Sequence, residues 1–344
     1  MTQQKNTPLR IAIVGASGYS GGELMRLLAS DPSVRIEIAT AHAQAGKAVD
    51  EVHPYLAGRV PLTFVPFDPA TVAGMDCVFL ALPSGEAMQI VPALQGKVGC
   101  IIDLGGDLRL PTAAIYEKYY KKTHTAPDLL GAAVYGLPEL NRAKIKAATL
   151  IANPGCYPTS VILALLPAIE AGLIMPEGIV VNSLSGVSGA GRSSTVELSF
   201  SEVNESVRAY KIGTHQHQPE IRTVLEQVAG TGITLSFIPH LIPITRGIYT
   251  TVHADLRTQT PIADIQKVYA DRYRDEPFVR FGTRIPEIRA VNYTNFCDVA
   301  VFLEPHTGKL VITSVIDNLI KGAAGQAIQN MNLVFGRPEH ALLK

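Results

Sequence analysis

The chain has 344 residues, of which 47% are apolar and 17% are charged. This apolar fraction excludes intrinsic disorder, which requires low hydrophobicity and a high net charge. The length predicts two domains or one large α/β domain. Basic and acidic residues number 30 each, so we expect neither a nucleic-acid partner nor attraction to an anionic membrane.

The N-terminus and the cysteines favour a cytoplasmic protein. The first ten residues, MTQQKNTPLR, lack the basic and then apolar pattern of a signal peptide. Apolar runs such as residues 161–169 are too short to span a bilayer. The four cysteines include no C-x-x-C pair and are too few for a disulfide framework. We therefore expect reduced thiols, a cytoplasmic location and no membrane segment.

A strand, a glycine-rich turn and an amphipathic helix follow one another near the N-terminus. Residues 11–14 form an apolar run, the turn reads GASGYSGG, and leucines then recur at helical spacing. Such a turn lets the backbone and a helix N-terminus approach a pyrophosphate. The spacing is G-x-x-G-x-x-G rather than G-x-G-x-x-G, but its context predicts dinucleotide binding over an ordinary tight turn. The candidate cofactor contacts are Gly15, Ser17, Gly18, Tyr19, Ser20 and Gly21.

The tip of the second predicted strand, residues 35–39, bears on the choice of cofactor. An NAD site usually carries an acidic residue there to hold the ribose hydroxyls. Here the tip reads Thr40-Ala41-His42, and the missing acid favours NADP, whose 2′-phosphate a carboxylate would repel. Thr40 is a candidate cofactor contact, with a plain surface turn as the alternative.

Two further apolar strands, residues 77–82 and 100–104, each end in turn residues, and a helical stretch separates them. Alternating strands and helices predict a parallel sheet with right-handed crossovers. Ligands bind beyond the carboxyl ends of the strands in such a sheet. Ser84 and Gly85 lie at one of these ends and are also candidate cofactor contacts.

Cys156 lies between a sharp Pro-Gly turn and the start of an apolar helix. Pro158 suits the first turn of a helix, because its missing N–H would have had no helical partner. The positive end of a helix dipole stabilises a thiolate, which is the nucleophilic form of cysteine. We therefore predict a nucleophile at Cys156 rather than a buried structural cysteine.

A cysteine nucleophile usually works with a histidine, and the sequence THQHQPEI holds two of them. His215 and His217 are predicted to lie in the loop before a helix that starts at Pro219. Metal ligation by this H-x-H pair is an alternative, but no matching set of carboxylates and histidines completes a metal site. We expect no metal.

Basic residues near glycine-rich turns could hold an anionic substrate. The loop that follows residues 181–184 contains Ser185, Gly186 and Arg192, whose hydroxyl, backbone N–H and guanidinium groups suit a phosphate or carboxylate. A second rigid turn ends at Arg246. Arg109 and Arg208 are further candidates, although an isolated arginine is more often a solvated surface charge.

The second half of the chain predicts a different architecture from the first. Its strands, residues 179–184, 235–239, 248–256, 300–303 and 311–315, suggest a mixed or antiparallel sheet covered by helices on one face. A helix over residues 321–333 follows. We expect an α/β protein with a Rossmann-type dinucleotide-binding domain and a second, α+β domain.

At residues 153–159, NPGCYPT, the sequence resembles the N-acetyl-γ-glutamyl-phosphate reductases of arginine biosynthesis. The resemblance covers nearly the whole chain. The motif NPGCYPT, together with further motifs that occur in the same order as in the family, is highly specific. Ile244-Thr245 before Arg246 is a mild departure from the family's usual sequence. The further motifs, in the family's order, are GASGYSGGEL, LPSG, IIDLGGDLRL, YGLPELNR, SGVSGAGR, HQHQPEI, PHLIPITRGI and KGAAGQAIQNMNL.

The resemblance implies an NADPH-dependent reduction of N-acetyl-L-glutamyl 5-phosphate to the 5-semialdehyde, with release of phosphate. Cys156 matches the family's nucleophile and would form a thioester, and His215 matches its catalytic acid. Asn318 would lie near the nicotinamide, and Tyr210 and Glu220 would orient the histidine. The implied substrate-binding residues are Arg109, Asn153, Ser185, Gly186, Arg192, Arg208, His217 and Arg246. In the family the last helix returns to the dinucleotide-binding domain, which implies a Rossmann-type domain of residues 1–155 and 317–344 and an inserted substrate and oligomerisation domain of residues 156–316. Family members are usually homo-oligomers, here a dimer or tetramer.

Three other functions compete with this interpretation. A carrier-protein-bound 2-aminoadipyl-phosphate reductase of lysine biosynthesis would use the same chemistry on a different substrate. A cysteine hydrolase would use Cys156 and His215 without a cofactor, which the glycine-rich turn argues against. A non-catalytic NADP sensor on the same fold would not need Cys156.

Overall fold

The computed structural model describes residues 7–192 and 195–343, which divide into two compact units. Unit 1 contains the described residues of Met1–Glu117, Lys122–Pro154 and Ala323–Lys344, and unit 2 contains Lys118–Lys121 and Gly155–Gly322. The sequence placed residues 317–322 with the dinucleotide-binding segments. In the structure they belong to unit 2, because they continue directly from the last strand of its sheet.

Unit 1 contains a six-stranded parallel sheet. Its strands are β1 (Leu9–Val14), β2 (Val34–Ala39), β3 (Cys77–Leu80), β4 (Cys100–Asp103), β5 (Val134–Tyr135) and β6 (Leu150–Ala152). They lie in the order β2-β1-β3-β4-β6-β5, and all neighbours are parallel. Every residue of β3 and β4 is buried, as expected for strands covered on both faces. The predicted parallel, Rossmann-type sheet is confirmed.

Unit 2 contains a seven-stranded mixed sheet. Its strands are β7 (Ile179–Ser185), β8 (Arg208–Ala209), β9 (Leu235–Leu241), β10 (Ile248–Ala254), β11 (Val279–Phe281), β12 (Cys297–Leu303) and β13 (Leu310–Ile316). The order is β11-β12-β13-β10-β7-β9-β8. The β11–β12 and β7–β9 pairs are parallel and the others antiparallel. The sequence predicted a mixed or antiparallel sheet, and the structure shows that the sheet is mixed.

The helices connect these strands. In chain order the α-helices are α1 (Tyr19–Leu28), α2 (Val49–Val52), α3 (Pro69–Val72), α4 (Ala87–Leu94), α5 (Ala113–Tyr120), α6 (Asp128–Ala132), α7 (Pro138–Lys146), α8 (Cys156–Glu170), α9 (Phe200–Val203), α10 (His217–Ala229), α11 (Ile262–Tyr273) and α12 (Gly325–Val334). Short 3-10 helices occupy Pro54–Leu56, Val187–Ala190, Val196–Leu198 and Ile288–Ala290. A π-helical turn, Ile320–Ala324, precedes α12, where the sequence predicted one continuous helix.

Helix α8 is the central element of unit 2. It packs against α10, α11, β10 and β13, and nearly all of its side chains are buried. A buried hydroxyl cluster ties it to the sheet: Ser160 Oγ donates to Thr250 Oγ1 at 2.9 Å and lies 2.7 Å from Ser314 Oγ. Buried polar groups that satisfy one another fix a single packing arrangement. The first residue of α8 is therefore held in a defined position.

Over the described residues, no helix combines the length and the apolar character needed to cross a membrane.

Candidate active site

Cys156 is the first residue of α8, as the sequence predicted. Gly155 caps the helix in an extended conformation, and its carbonyl oxygen accepts the backbone N–H of Thr159 at 2.9 Å. Cys156 is half-buried, whereas Cys77, Cys100 and Cys297 are fully buried. The helix N-terminus stabilises negative charge on a group placed there, so Cys156 combines access with an environment that favours a thiolate.

Two glycines allow close packing around this cysteine. A Cβ added to Gly322 would lie 2.8 Å from Cβ of Cys156, and one added to Gly155 would lie 2.6 Å from Nε2 of His217. A larger residue at Gly322 would displace the base of the Cys156 side chain, and one at Gly155 would displace the ring of His217, so glycine at both positions permits this packing. The same packing places His217 against the residue that precedes the thiol.

The two histidines form one aromatic cluster with Tyr157. The ring centroids of His215 and His217 are 4.9 Å apart, and Tyr157 lies edge-on to both, at 5.5 Å from His215 and 5.9 Å from His217. The sequence placed both histidines in a loop. Instead, α10 begins at His217. Proline lacks a backbone N–H, but the N–H groups in the first turn of a helix have no helical partner, so Pro219 can lie within that turn and the helix can begin before it.

His215 is held in the neutral form. Its Nδ1 accepts the backbone N–H of His217 at 3.1 Å, so the single proton of the neutral ring lies on Nε2. Only 3% of His215 is exposed. Burial, with the nearby charge of Lys211, lowers the pKa of His215 to about 3. His215 can therefore donate a hydrogen bond from Nε2 at neutral pH without carrying a charge.

Tyr210 completes the cluster. Its hydroxyl lies 3.0 Å from that of Tyr157, and its ring lies edge-on to His215 at 5.5 Å. Burial and the charge of Cys156 raise the pKa of Tyr210 to about 12, although its bond to Tyr157 opposes this shift. Both hydroxyls therefore stay protonated. Tyr157 was visible in the sequence only as part of NPGCYPT, and nothing in the pattern indicated this pairing.

Glu220 supports the turn that carries the cysteine. Its Oε1 accepts the backbone N–H of Gly155 at 2.9 Å, and only 1% of Glu220 is exposed. The resemblance implied that Glu220 orients the histidine. The hydrogen bond from Gly155 links α10 to the N-cap of α8.

The loop after β7 is compact. Ser185 is buried and its hydroxyl donates to the carbonyl oxygen of Gly186 at 3.0 Å. The backbone N–H of Gly186 donates to the carbonyl oxygen of Gly247 at 3.0 Å, and an added Cβ on Gly186 would lie 2.7 Å from the carbonyl oxygen of Thr245. This loop is thus hydrogen-bonded to and packed against the second predicted anion-binding turn, which contains Arg246.

Arg246 is oriented by two neighbours. Its Nη1 lies 3.4 Å from Oδ2 of the fully buried Asp317, and its guanidinium stacks over the ring of Tyr293 at 4.4 Å. Asn318 belongs to unit 2, where Oδ1 accepts the N–H of Gly247 at 2.7 Å and Nδ2 donates to Ser188 Oγ at 3.0 Å. Asn318 therefore ties the two loops together.

Arg192 and Arg208 differ from these buried residues. Both are exposed, and Nη2 of Arg208 donates to the carbonyl oxygen of Glu197 at 3.0 Å. The structure thus brings the turn around Cys156 together with His215 and His217 and leaves these two arginines at the surface.

In unit 1, the glycine-rich turn has the predicted strand–turn–helix context. Gly15 has a φ of +80°, and an added Cβ would lie 2.4 Å from the carbonyl oxygen of Ala81. Gly18 is the N-cap of α1, and an added Cβ there would meet only the carbonyl oxygen of Gly15, at 3.6 Å. No side chain in the described part of the chain caps α1. Ser17, Tyr19, Ser20 and Gly21 lie in the same turn and first helical turn.

Thr40 lies behind this turn. It is 2% exposed, its hydroxyl accepts the N–H of Gly15 at 3.3 Å, and its carbonyl oxygen accepts the N–H of Ala16 at 2.8 Å. Thr40 therefore fixes the conformation of the turn. In the turn after β3, Ser84 and Gly85 contact two charged groups: Lys122 Nζ donates to the carbonyl oxygen of Ser84, and the N–H of Gly85 donates to Asp107 at 2.6 Å.

Arg109 and Asn153 form internal hydrogen bonds in unit 1. Arg109 donates from Nε to the carbonyl oxygen of Asn153 at 2.8 Å and from Nη2 to that of Leu104 at 2.6 Å. Asn153 is 1% exposed, and its Oδ1 accepts from Asn330 at 3.0 Å. These contacts anchor the strand that leads to Pro154.

Two buried carboxyl groups at the end of β4 were missed in the sequence, although both lie in the motif IIDLGGDLRL. Asp107 accepts hydrogen bonds from Tyr116 at 2.8 Å and from Gly85. Asp103 accepts the N–H of Gly105 at 2.8 Å through Oδ1, while Oδ2 has no partner among the described residues. Burial and the neighbouring Asp107 raise the pKa of Asp103 to about 7.

Within residues 7–192 and 195–343, no group of three or more histidine, cysteine or acidic side chains could hold a metal ion.

Comparison with known proteins connects each unit to a described domain. Residues 10–148 match the family model "Semialdehyde dehydrogenase, NAD binding domain", and residues 156–318 match "Semialdehyde dehydrogenase, dimerisation domain". Among solved structures, aspartate semialdehyde dehydrogenase II of Vibrio cholerae matches with a TM-score of 0.71 and 17% identity, covering 96% of this chain and 99% of that one. An aspartate semialdehyde dehydrogenase with NADP from Candida albicans matches with a TM-score of 0.66 and 14% identity, over 96% and 99% of the two chains. These structures share the fold.

Curated relatives are considerably more similar. The N-acetyl-gamma-glutamyl-phosphate reductase of Alkalilimnicola ehrlichii is 48% identical over 335 residues, which cover 97% of each chain. The enzyme of the same name from Symbiobacterium thermophilum is 46% identical over 334 residues, 96% of each chain. That from Acidithiobacillus ferrooxidans is 48% identical over 336 residues, 97% of each chain.

Proposed function

The chain belongs to the N-acetyl-γ-glutamyl-phosphate reductase family, and we propose that it reduces N-acetyl-L-glutamyl 5-phosphate to the 5-semialdehyde with NADPH, releasing phosphate, in arginine biosynthesis. The single observation that carries this proposal is the half-buried Cys156 at the N-terminus of α8, packed beside the His215–His217 pair. A hydrolase or a sensor accounts less well for the combination of this site with an NAD-binding domain.

The glycine-rich turn of unit 1 fits a dinucleotide. The tight turn at Gly15 leads into the uncapped N-terminus of α1, which offers backbone N–H groups to a pyrophosphate. Gly18 leaves open space where a phosphate can approach. When bound, the cofactor supplies a hydride. The strand tip at Thr40 lacks the carboxylate that would select NAD, which supports the proposal that NADP is preferred.

The first chemical step uses side chains of unit 2. The Cys156 thiolate attacks the γ-acyl carbon, the bond from that carbon to the phosphate oxygen breaks, and phosphate leaves with the electron pair. A thioester to Cys156 remains. Covalent catalysis of this kind divides one difficult step into two. Once the thioester carbon has received a hydride, the resulting thiohemiacetal would break its C–S bond, which releases the aldehyde, returns the electron pair to sulfur and regenerates the thiolate.

His215 is proposed to act on the reacting oxygen. Because its neutral ring carries the proton on Nε2, it can donate a hydrogen bond to the oxyanion that forms when sulfur attacks the carbonyl. Its low pKa favours hydrogen-bond donation over transfer of a full proton. His217, which packs against Gly155, and Arg246 are proposed to contact the substrate, together with the loop at Ser185 and Gly186.

The remaining candidates are proposed from the resemblance with less support from geometry. Arg109 and Asn153 form hydrogen bonds within unit 1, and Arg192 and Arg208 are exposed. A homo-oligomer is also proposed, because the family model over residues 156–318 is described as a dimerisation domain.

The reverse reaction tests the proposal. Purified protein receives N-acetylglutamate semialdehyde, phosphate and NADP⁺, and NADPH absorbance is followed, with Cys156→Ser in parallel. We expect phosphate-dependent NADPH formation that falls at least roughly thousandfold in the variant, because the nucleophile is lost. Replacing NADP⁺ with NAD⁺ tests cofactor preference.

Other outcomes point elsewhere. A wild type that binds NADPH but does not turn over the free substrate would support the carrier-bound 2-aminoadipyl reductase or the sensor. Undiminished activity in Cys156→Ser would contradict the thioester mechanism. Cys156 should also be the one thiol alkylated by iodoacetamide in the folded protein, since Cys77, Cys100 and Cys297 are 0% exposed.

A further inference from the structure

His53 is a buried histidine that packs against the glycine-rich turn of unit 1. Its Nε2 lies 3.1 Å from the carbonyl oxygen of Ala16, which follows Gly15 in the turn. Only 3% of His53 is exposed, and Ala16 is fully buried. A buried carbonyl oxygen requires a hydrogen-bond donor. His53 supplies one from a segment that lies 37 positions further along the chain.

The surroundings of His53 fix both its proton and its backbone. A carbonyl oxygen can only accept, so Nε2 carries the proton of the neutral ring. Nδ1 is then an acceptor, and the hydroxyl of Tyr55 lies 3.3 Å from it. The backbone N–H of His53 donates to Val49 at 2.8 Å, and its carbonyl oxygen accepts the N–H of Leu56 at 2.9 Å. The donor that faces Ala16 is therefore oriented in advance of any ligand.

Gly22 leaves room for this histidine. It lies in α1, where alanine would be the better helix former. An added Cβ would lie 2.8 Å from Cε1 of His53 and 2.4 Å from the hydroxyl oxygen of Tyr55. Tyr55 is exposed and could move aside, but the buried ring of His53 could not move without losing its contact with Ala16. The last glycine of GASGYSGG therefore permits the contact between His53 and the turn.

The contact with His53 also sets the direction of a peptide group in the turn. The peptide between Ala16 and Ser17 is trans, so the carbonyl of Ala16 and the N–H of Ser17 point in opposite directions. Because the carbonyl is held toward the buried His53, the N–H of Ser17 points away from it. Backbone N–H groups of such a turn are the groups that bind a pyrophosphate. Their orientation is thus linked to His53.

We propose that His53 is a positioning residue of the cofactor site. Its N–H holds the glycine-rich turn in the conformation that binds the pyrophosphate of the dinucleotide. The proposal rests on the dinucleotide binding of the proposed function and is independent of the substrate. Without the donor at His53, the peptide after Ala16 can rotate, and the cofactor must order the turn when it binds. The affinity for the cofactor then falls.

His53→Ala and His53→Gln test the proposal by fluorescence titration with NADPH. Alanine removes the donor, whereas glutamine carries an amide N–H donor at a similar distance from the backbone. We expect the dissociation constant for NADPH to rise roughly tenfold in His53→Ala and by less than about threefold in His53→Gln. At saturating NADP⁺, kcat of the reverse reaction should stay within about twofold of the wild type, because the turn binds ground state and transition state alike.

Gly22→Ala tests the same contact from the other side. Its added Cβ displaces His53, so the dissociation constant for NADPH should rise in this variant as well. In the double variant of His53→Ala and Gly22→Ala the space is already vacant, so the two effects should not add. Gly131→Ala is the matched control and should bind NADPH as the wild type does. Gly131 lies in α6 of the same unit, where an added Cβ would meet no described atom beyond its own helix within 4 Å.

Two results would overturn the proposal. The first is an unchanged affinity for NADPH in His53→Ala. The second is an equal loss of affinity in His53→Ala and His53→Gln with an equal fall in the midpoint of thermal unfolding, which would make His53 a structural residue only. Additive effects of His53→Ala and Gly22→Ala would show that Gly22 does not act through His53.

Failure of the proposed function is recognisable separately. A wild type that binds NADPH without turning over the substrate would contradict the reductase function, and the titrations would still decide the role of His53. If the wild type binds NADH instead, the same variants are titrated with NADH. A wild type that binds neither dinucleotide would overturn cofactor binding by the turn, and the role of His53 with it.

Discussion

The backbone N–H of His217 donates a hydrogen bond to Nδ1 of His215 over 3.1 Å. This bond fixes the tautomer of the buried ring and directs its N–H through Nε2. The two histidines of the H-x-H motif therefore differ in kind: His215 is buried, neutral and oriented, whereas His217 is half-buried at the start of α10. Their spacing places a hydrogen-bond donor and a second polar ring on one side of the catalytic turn.

The first prediction concerns His215 and His217 separately. His215→Gln should lower kcat by roughly 10²–10³, because an oxyanion loses one oriented donor. His217→Gln should mainly raise KM if His217 contacts the substrate, because the hydrogen bond from its backbone N–H to His215 is kept. Steady-state kinetics of the two variants decide the assignment. The reverse pattern, with kcat lost in His217→Gln alone, would transfer the catalytic role to His217.

The second prediction is a pH dependence of stability. The pKa of His215 is lowered from 6.5 to about 3 in the folded protein, so between these values the unfolded chain binds more protons. Stability should therefore fall as the pH falls below 6.5, by roughly 2 kcal/mol between pH 7 and pH 5 from this group. Urea unfolding of the wild type and His215→Gln measures it.

The loss on acidification should be smaller in His215→Gln, which cannot titrate. His306→Gln is the control, since His306 is exposed and its removal should leave the slope unchanged. Equal slopes for the wild type and His215→Gln would show that His215 is protonated in the native state.

The third prediction concerns Glu220 and the turn before Cys156. Glu220→Ala should destabilise the protein by about 1–3 kcal/mol, because the buried N–H of Gly155 loses its acceptor. Glu220→Gln keeps an oxygen at this position and should recover most of that loss. Urea unfolding and kcat are measured together. Similar losses in both variants would mean that the carboxylate charge, and not the hydrogen bond, stabilises the turn.

The fourth prediction separates two glycines of the dinucleotide turn. Gly15→Ala should destabilise unit 1 by roughly 1–3 kcal/mol, since Gly15 has a positive φ and its added Cβ would overlap the backbone of Ala81. Gly18→Ala should leave stability nearly unchanged, because the site is open, but weaken NADPH binding. Fluorescence titration with NADPH and thermal unfolding test both variants. Unchanged NADPH affinity in Gly18→Ala would place the cofactor elsewhere.

Local patterns predicted most of the fold and the position of the nucleophile. The strands of unit 1 are short runs of β-branched residues between turns, and the Pro-Gly turn before Cys156 determines where α8 begins. Contacts between distant residues were not predictable. Asn153, for example, bonds to Asn330, 177 positions later, and no periodicity encodes such a pair. The start of α10 at His217 was missed for a different reason, because Pro219 is compatible with several positions in a first helical turn.

The last prediction concerns Asp103, whose pKa is raised from 3.8 to about 7 by burial and by Asp107. Between these values the native state binds more protons than the unfolded chain, so this group lowers stability as the pH rises from 4 to 7. Asp103→Asn resembles the protonated acid and keeps an oxygen for the N–H of Gly105. Its stability relative to the wild type should therefore rise by roughly 2.5 kcal/mol between pH 5 and pH 8.

Urea unfolding at pH 5, 6.5 and 8 measures this difference, and Asp50→Asn is the control because Asp50 is exposed on α2. A constant difference between Asp103→Asn and the wild type would show that Asp103 stays ionised in the folded protein. In that case the charge of Arg109 and the N–H of Gly105 outweigh burial and the neighbouring Asp107. A widening difference would instead establish that unit 1 buries a protonated carboxyl group at the end of β4, where its Oδ2 has no partner among the described residues.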